Sequence, residues 1–154
     1  MGFKIRKNGA WADPSRAPMR RAGNGWVPVQ TIYQRSGNAW VAVWSALSLN
    51  GTPKATGRYN CKGASCPTNV IVIAQLTSAL SVSGGVGNLS ISWALVSGTP
   101  FTVTGGNTLS PSFQVSIGRE GAASATYRCT VTDGVSTVFY DMNVSVDYQW
   151  TDPR

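Results

Sequence analysis

The sequence predicts an all-β chain: a β-sandwich carried by roughly its second half, preceded by an arm of short β-hairpins. Three observations lead there. Valine, serine and threonine recur in short alternating runs, with seventeen glycines among 154 residues, the mixture that strands and tight turns use. Between Asn69 and Val146 such runs return about every ten residues with glycine between them, which is the spacing of a sandwich. The first forty-four residues repeat one short unit three times, and nothing in the chain has the periodicity of an amphipathic helix.

The repeated unit is "IRKNGAWAD", then "RRAGNGWVPV", then "QRSGNAWVAV". Each places a basic residue, a Gly/Asn turn, and a tryptophan followed by small or β-branched residues. Trp11, Trp26 and Trp40 stand fifteen and fourteen residues apart, too close for a solenoid or propeller repeat. That period suits successive hairpins turning at Asn8-Gly9, Gly23-Asn24-Gly25 and Gly37-Asn38. Trp44 extends the third outgoing strand. A lone two-stranded hairpin is marginal in water, so these aromatic faces are expected to bury against a partner or symmetry mates. The alternative is that the hairpins fold back on the sandwich as extra sheet.

Charge separates the two halves further. Lys4, Arg6, Lys7, Arg16, Arg20, Arg21 and Arg35 stand against Asp13 alone, so the first forty-four residues carry +6 of the chain's +7. A segment this basic seeks an acidic partner. Its cations sit at turns and are spaced by Trp, Pro and Gly instead of forming a solid basic block. Protein docking is therefore expected, not nucleic acid, through Trp11, Trp26, Trp40 and Trp44 with Arg6, Arg20, Arg21 and Arg35; a merely solvated basic face is the alternative.

From Ser45 to Pro67 alternation is lost and turn residues crowd together, which reads as a linker loop. The expected division is residues 1–44 as arm, 45–67 as linker and 68–154 as sandwich. Within the linker, Cys61 and Cys66 form a C-x4-C pair with no histidine in the chain and no second cysteine pair, so zinc would lack ligands. Either both are free thiols, or they close a small disulfide loop late in the protein's life.

The sandwich reads as seven strands: Val70–Ala74, Leu76–Val82, Leu89–Leu95, a weak Phe101–Thr104, Ser112–Ile117, one through Tyr127, Cys129 and Val131, and one through Val138, Tyr140, Met142, Val144 and Val146. Asp133-Gly134 supplies a tight turn between the last two. A tyrosine two residues before a cysteine, ahead of a hairpin, is the arrangement of the tyrosine corner on strand F of immunoglobulin sandwiches. Trp93, thirty-six residues before Cys129, then stands where strand C carries its core tryptophan. Trp93, Tyr127 and Cys129 are the expected structural core. Tyr148 and Trp150 lie past the last strand, either packed on the sandwich edge or free to bind.

Catalysis is not expected. Histidine, the commonest general base, is absent. The six acidic residues are scattered over turns, termini and outward strand positions, and no glycine loop leads into a helix to cradle phosphate. No cofactor or metal is implied. No apolar run reaches the roughly 20 residues that span a bilayer. The opening "MGFKIRKNGAW" lacks the apolar core of a secretory signal, and Arg6 stands where a myristoylation motif needs Ser or Thr. The chain is expected to fold first in a cytoplasm.

Three stretches, "SGGVGNLSISWALVSG" (Ser83 to Gly98), "LSPSFQVSI" (Leu109 to Ile117) and "ATYRCTVTDG" (Ala125 to Gly134), resemble the immunoglobulin-like domains of tailed-bacteriophage virion proteins. Many such sandwiches pair a strand B cysteine with the strand F cysteine. Here "TSALSVSGG" offers Ser78, Leu80 and Val82 as the inward set, so the resemblance implies that Cys129 is a buried free thiol. "RKNGAWADP" and "QRSGNAWVAVW" are similar to short Trp repeats near the N-termini of phage tail and fibre-associated proteins. Together these resemblances imply a non-enzymatic virion structural protein with an immunoglobulin-like β-sandwich preceded by an N-terminal β-hairpin repeat arm. The arm would dock on other virion subunits at the tail tip, baseplate or fibre region, in a homo-oligomeric or symmetric assembly. The sandwich would adsorb weakly to a host-surface glycan or protein, without membrane insertion. A capsid decoration protein and a carbohydrate-binding module are the alternatives.

Overall fold

The chain is all-β, as its composition predicts, and the residues described contain fifteen strands. This computed structural model describes residues 5–7, 10–12 and 18–152, with the side chains of residues 5–7, 10–12 and 43 outside the description. Contacts divide the chain into two compact units. One gathers the described residues up to Asn50 with Val82–Ser90 and Val131–Val138; the other holds Gly51–Ser81, Ile91–Thr130 and the described residues from Phe139 onward.

In the first unit the threefold repeat becomes three antiparallel hairpins: β1 (Ile5–Lys7) with β2 (Ala10–Ala12), β3 (Met19–Ala22) with β4 (Gly25–Pro28), and β5 (Thr31–Ser36) with β6 (Ala39–Ser45). Each is a separate two-stranded sheet, and none adds a strand to the sandwich sheet. The expected turn at Asn8-Gly9 lies outside the described residues. The turn at Gly37-Asn38, between Ser36 and Ala39, is as expected; the other holds only Gly23-Asn24, because Gly25, expected in the turn, already pairs with Ala22. Gly23 and Gly37 both have φ near +60° (59° and 60°), the reason glycine leads each turn.

The stretch read as a linker is mostly strand, which corrects that expectation. β7 (Ser48–Asn50) and β8 (Ala55–Lys62) lie within it. β8 alternates buried or half-buried Ala55, Gly57, Tyr59 and Cys61 with exposed Thr56, Arg58, Asn60 and Lys62. Two of its four inward residues are Ala and Gly, too small to register as an apolar period. β9 (Asn69–Leu76) follows. The expected strand Leu76–Val82 is not a sandwich strand, because the chain bends after Leu76 and β10 (Ser81–Ser83) pairs with β7 instead. The inward set of the strand beside β13 is therefore Val72 and Ala74; Ser78 is exposed, Leu80 buried and Val82 half-buried. No cysteine stands on β9 either, so the absence of an inter-sheet disulfide holds for a different strand than expected.

The remaining strands are β11 (Ser90–Gly98), β12 (Thr102–Thr104), β13 (Ser112–Gly118), β14 (Ala122–Thr132) and β15 (Thr137–Thr151), hydrogen-bonded in the order β11-β14-β15-β8-β9-β13-β12. β8 joins two layers. It pairs with β9 over Ala55 and Thr56, and it runs parallel to β15 from Ala55↔Val144 to Lys62↔Thr151. Gly57 marks the departure from β9, since a Cβ there would lie 2.2 Å from the Ile73 carbonyl oxygen. The layers β9-β13-β12 and β11-β14-β15-β8 face each other, because Trp93 on β11 meets Phe113 on β13 edge-to-face at 5.7 Å although those strands are far apart in the sheet order. Seven strands in this order form an immunoglobulin-like sandwich.

Its core joins Val72, Ala74, Phe113 and Ile117 of one layer to Ala125, Tyr127, Met142, Val144, Val146 and Tyr148 of the other. The alternation read from Tyr127 to Val146 holds, but β15 continues to Thr151. Tyr148 and Trp150 are therefore strand residues, not an extension. Between β14 and β15 the loop is four residues long, Asp133 to Ser136, longer than the tight turn expected.

Candidate functional site

The exposed faces of the hairpins make the candidate site. Register places an arginine directly opposite each repeat tryptophan: Arg6↔Trp11, Arg21↔Trp26 and Arg35↔Trp40. The side chains of Arg6 and Trp11 are outside the description, so only their strand positions are known. In the other two hairpins Trp26 and Trp40 are each 68% exposed, and Arg20, Arg21 and Arg35 are exposed as well. Residues opposite one another on an antiparallel pair project from the same face about 5 Å apart. The Arg35 guanidinium also donates from Nε to the Gly37 carbonyl at 3.2 Å, bracing its turn.

Alternation from each tryptophan extends these faces. Beside Arg21 and Trp26 lie Met19 and Pro28; beside Arg35 and Trp40 lie Tyr33 and Ala42. Met19 and Tyr33 are exposed large apolar side chains that sequence reasoning passed over, although counting back two from Arg21 and Arg35 would have reached them. Arg20 stands opposite Val27, on the other face from Arg21.

Trp44 is not part of this surface, which corrects its assignment as a docking residue. It is 4% exposed. The register shifts between Ile32 and Tyr33, so Tyr33 opposes Ala42 while Ile32 opposes Trp44, and Val43 is extra. Counted in twos, Trp44 should share the face of Trp40; the bulge reverses that parity. Its indole Nε1 is buried without a hydrogen-bond partner among the described residues.

The end of β6 is held by close backbone contacts within the same unit. Gly85 donates its N–H to the Ser45 carbonyl at 2.9 Å, and Ala46 donates to Gln30 at 2.7 Å. Gly84 has φ +71°, and a Cβ there would lie 2.0 Å from the Ala46 carbonyl oxygen, so only glycine fits. Asp133 anchors the neighbouring loops. Its carboxylate accepts from the N–H groups of Val86 at 2.8 Å, Val135 at 2.9 Å and Ser136 at 2.6 Å. Burial by itself would push the Asp133 carboxyl up, but these N–H donors outweigh it and hold it below the ordinary carboxylate value.

The expected core residues lie in the sandwich. Tyr127 and Cys129 are buried, and Trp93 is half-buried, packed on the core with its Nε1–H donating to the Thr108 carbonyl at 2.9 Å. The Tyr127 hydroxyl bonds differently from a local tyrosine corner, which closes a few residues upstream. It donates to the Phe101 carbonyl at 2.9 Å and accepts from the Phe101 N–H at 2.8 Å, twenty-six residues away. It thereby pins the chain between β11 and β12. Cys129 is a free thiol, and burial pushes it up to about 11.

Cys61 and Cys66 are joined by a disulfide. Around that loop Trp150 donates to Gly63 at 2.9 Å, Tyr148 donates to Pro67 at 2.7 Å, and Arg119 bonds the Cys66 carbonyl while lying over the Trp150 ring at 4.9 Å. Tyr148 and Trp150 are thus packing residues. Asp141 and Asp147 form ion pairs with Arg128 and Arg58. Among the described residues no group of three His, Cys, Asp or Glu side chains converges to hold a metal. The depressions described are open: one of about 350 Å³ is lined by small and polar residues such as Gln75, Ser78, Ser110 and Ser112, and one of about 360 Å³ by Thr56, Gly57, Arg58, Ser145 and Asp147.

No protein-family model matches this chain, and no curated protein matches it in sequence. Among solved structures, the solution structure of the PKD domain from human KIAA0319 is similar at 13% identity and a TM-score of 0.25, over 65% of this chain and 85% of that one. That likeness is slight, and the assignment of the sandwich stands on its strand order and core.

Proposed function

We propose that this chain is a non-enzymatic structural protein of a tailed-bacteriophage particle, anchored by its hairpins to other virion subunits at the tail tip, baseplate or fibre region. The observation that carries the reading is the pair of exposed tryptophans, Trp26 and Trp40, each opposite an arginine on a small hairpin outside the sandwich sheet. Trp, Arg and Tyr dominate the energetics of protein interfaces, whereas an isolated hairpin gains nothing by exposing them. The resemblance of Ser83–Gly98, Leu109–Ile117 and Ala125–Gly134 to phage domains supplies the kind of assembly. The sandwich would then project and adsorb weakly to host-surface glycan or protein.

The test is to build particles with the chain intact or carrying Trp26→Ala and Trp40→Ala, separate heads from tails, and quantify it by mass spectrometry. The expected result is a few intact copies per tail and loss of the variant from that fraction. Recovery with heads, at copy number near that of the shell, would make it a decoration protein. Absence of the intact chain from particles would discard the virion reading and leave a soluble glycan binder.

A further inference from the structure

We infer that the surface gripped by the hairpins is an acidic protein surface offering the same carboxylate site more than once, each hairpin being one copy of a single recognition element. This inference rests on the docking reading above and names its partner.

Sameness comes from register. In all three hairpins the arginine precedes its tryptophan by five residues, and arginine and tryptophan are direct cross-strand partners: Arg6↔Trp11, Arg21↔Trp26, Arg35↔Trp40. The two described faces also match in chemistry, each adding one further large apolar side chain, Met19 or Tyr33, to its Arg–Trp pair. Three loops of unrelated purpose would have no reason to hold one spacing.

Charge selects the occupant. No Asp or Glu occurs from Pro14 to Asn50, and the first forty-four residues hold a single acid. The same face of a second copy would bring arginine against arginine, a repulsion that counts most once water is excluded. A carboxylate fits instead: the guanidinium fork takes it with two parallel hydrogen bonds, and the adjacent indole covers apolar surface beside it. Nucleic acid suits the faces less well. Each has one Arg beside its tryptophan, whereas phosphate binding draws affinity from many cations along a backbone.

Closeness of the elements makes repetition useful. Only Val29 and Gln30 separate β4 from β5, so those strand ends are at most about 11 Å apart. A second hairpin therefore finds a neighbouring site at high effective concentration, and weak single contacts combine into tight attachment.

Titrating the full chain with poly-L-glutamate, followed by tryptophan fluorescence, tests this. A single-stranded oligothymidylate of matched charge serves as the competitor class. Poly-L-glutamate should bind, more weakly at high salt. Trp26→Ala or Trp40→Ala should each weaken it several-fold and both together by tenfold or more, with Arg21→Lys plus Arg35→Lys losing part of the affinity and Arg21→Glu plus Arg35→Glu nearly all. No binding by the intact chain, tighter binding of oligothymidylate, or indifference to both tryptophan variants would overturn the inference. Loss of the tryptophan variants from particles, with no poly-L-glutamate binding, would leave docking standing and remove the acidic partner alone.

Discussion

The sandwich and the hairpins draw on the same residue types and use them in opposite ways. In the sandwich, Trp93 and Trp150 are half-buried against the core with both indole N–H groups bonded to carbonyls. Arg128 lies over Phe139 at 4.2 Å and makes a two-pronged pair with Asp141. In the hairpins, Trp26 and Trp40 stand in solvent beside arginines, in a stretch of sequence with no acid to pair with them. One region turns its aromatic and cationic side chains to its own stability, while the other buries Trp44 but holds out Trp26 and Trp40 with their arginines. The contrast teaches that residue type alone does not distinguish a core from a binding surface; the presence of a partner within the fold does.

Truncating aromatics in both regions would break or sharpen that contrast. Phe113→Ala should have the largest effect, since the ring is fully buried between Trp93 and Tyr127; a loss of about 3–5 kcal/mol is expected in denaturant unfolding of the sandwich. If Phe113→Ala cost no more than a surface change, the two layers would not be packed as described. Tyr127→Phe should follow at about 1–3 kcal/mol, because it leaves the Phe101 N–H and carbonyl without their buried partner. Trp26→Ala and Trp40→Ala should change stability by no more than about 0.5 kcal/mol. A large loss from either would mean that the hairpins too are core.

Acid gives a gentler probe of the first unit. Asp133 is held below its ordinary value by backbone donors, so its contribution is complete above the unfolded value near 4 and fades as pH falls toward the folded value. Asp133→Asn should flatten that part of the pH–stability curve. An unchanged slope would show that the donors do not favour the charged form. Base probes the sandwich in the opposite direction: with the Cys129 thiol raised to about 11, it should resist alkylation at pH 8 until the protein is unfolded, when one thiol per chain becomes reactive without reductant.

Much of this was legible in the sequence, and each failure has its own physical cause. The alternation of large residues from Tyr127 to Val146 and the hairpin turns led by glycine could be read because bulky side chains or glycine dipeptides mark them; the free Cys129 followed from the resemblance and from the lack of a facing cysteine, although on a different strand than expected. β8 escaped because its inward positions include Ala55 and Gly57, which leave no apolar signal while fitting close to β9. Of the four tryptophans expected to dock, Trp26 and Trp40 are exposed, the Trp11 side chain lies outside the described residues, and Trp44 is buried because one inserted residue changes the face. The Cys61–Cys66 bond could not be settled from spacing, because it depends on the path of the loop that follows β8, which the sequence does not state.

The bulge at Val43 reaches further than Trp44 alone. By shifting the pleat half a cycle, it lets a single seven-residue strand belong to two surfaces, with Trp40 on the outside and Trp44 on the inside. Side chains near the turn and those at the root of the strand therefore face different surroundings, so a substitution at Trp40 need not touch the packing of Trp44. Deleting the extra residue would end that independence, because Trp40 and Trp44 would then fall on one face, both outside or both inside.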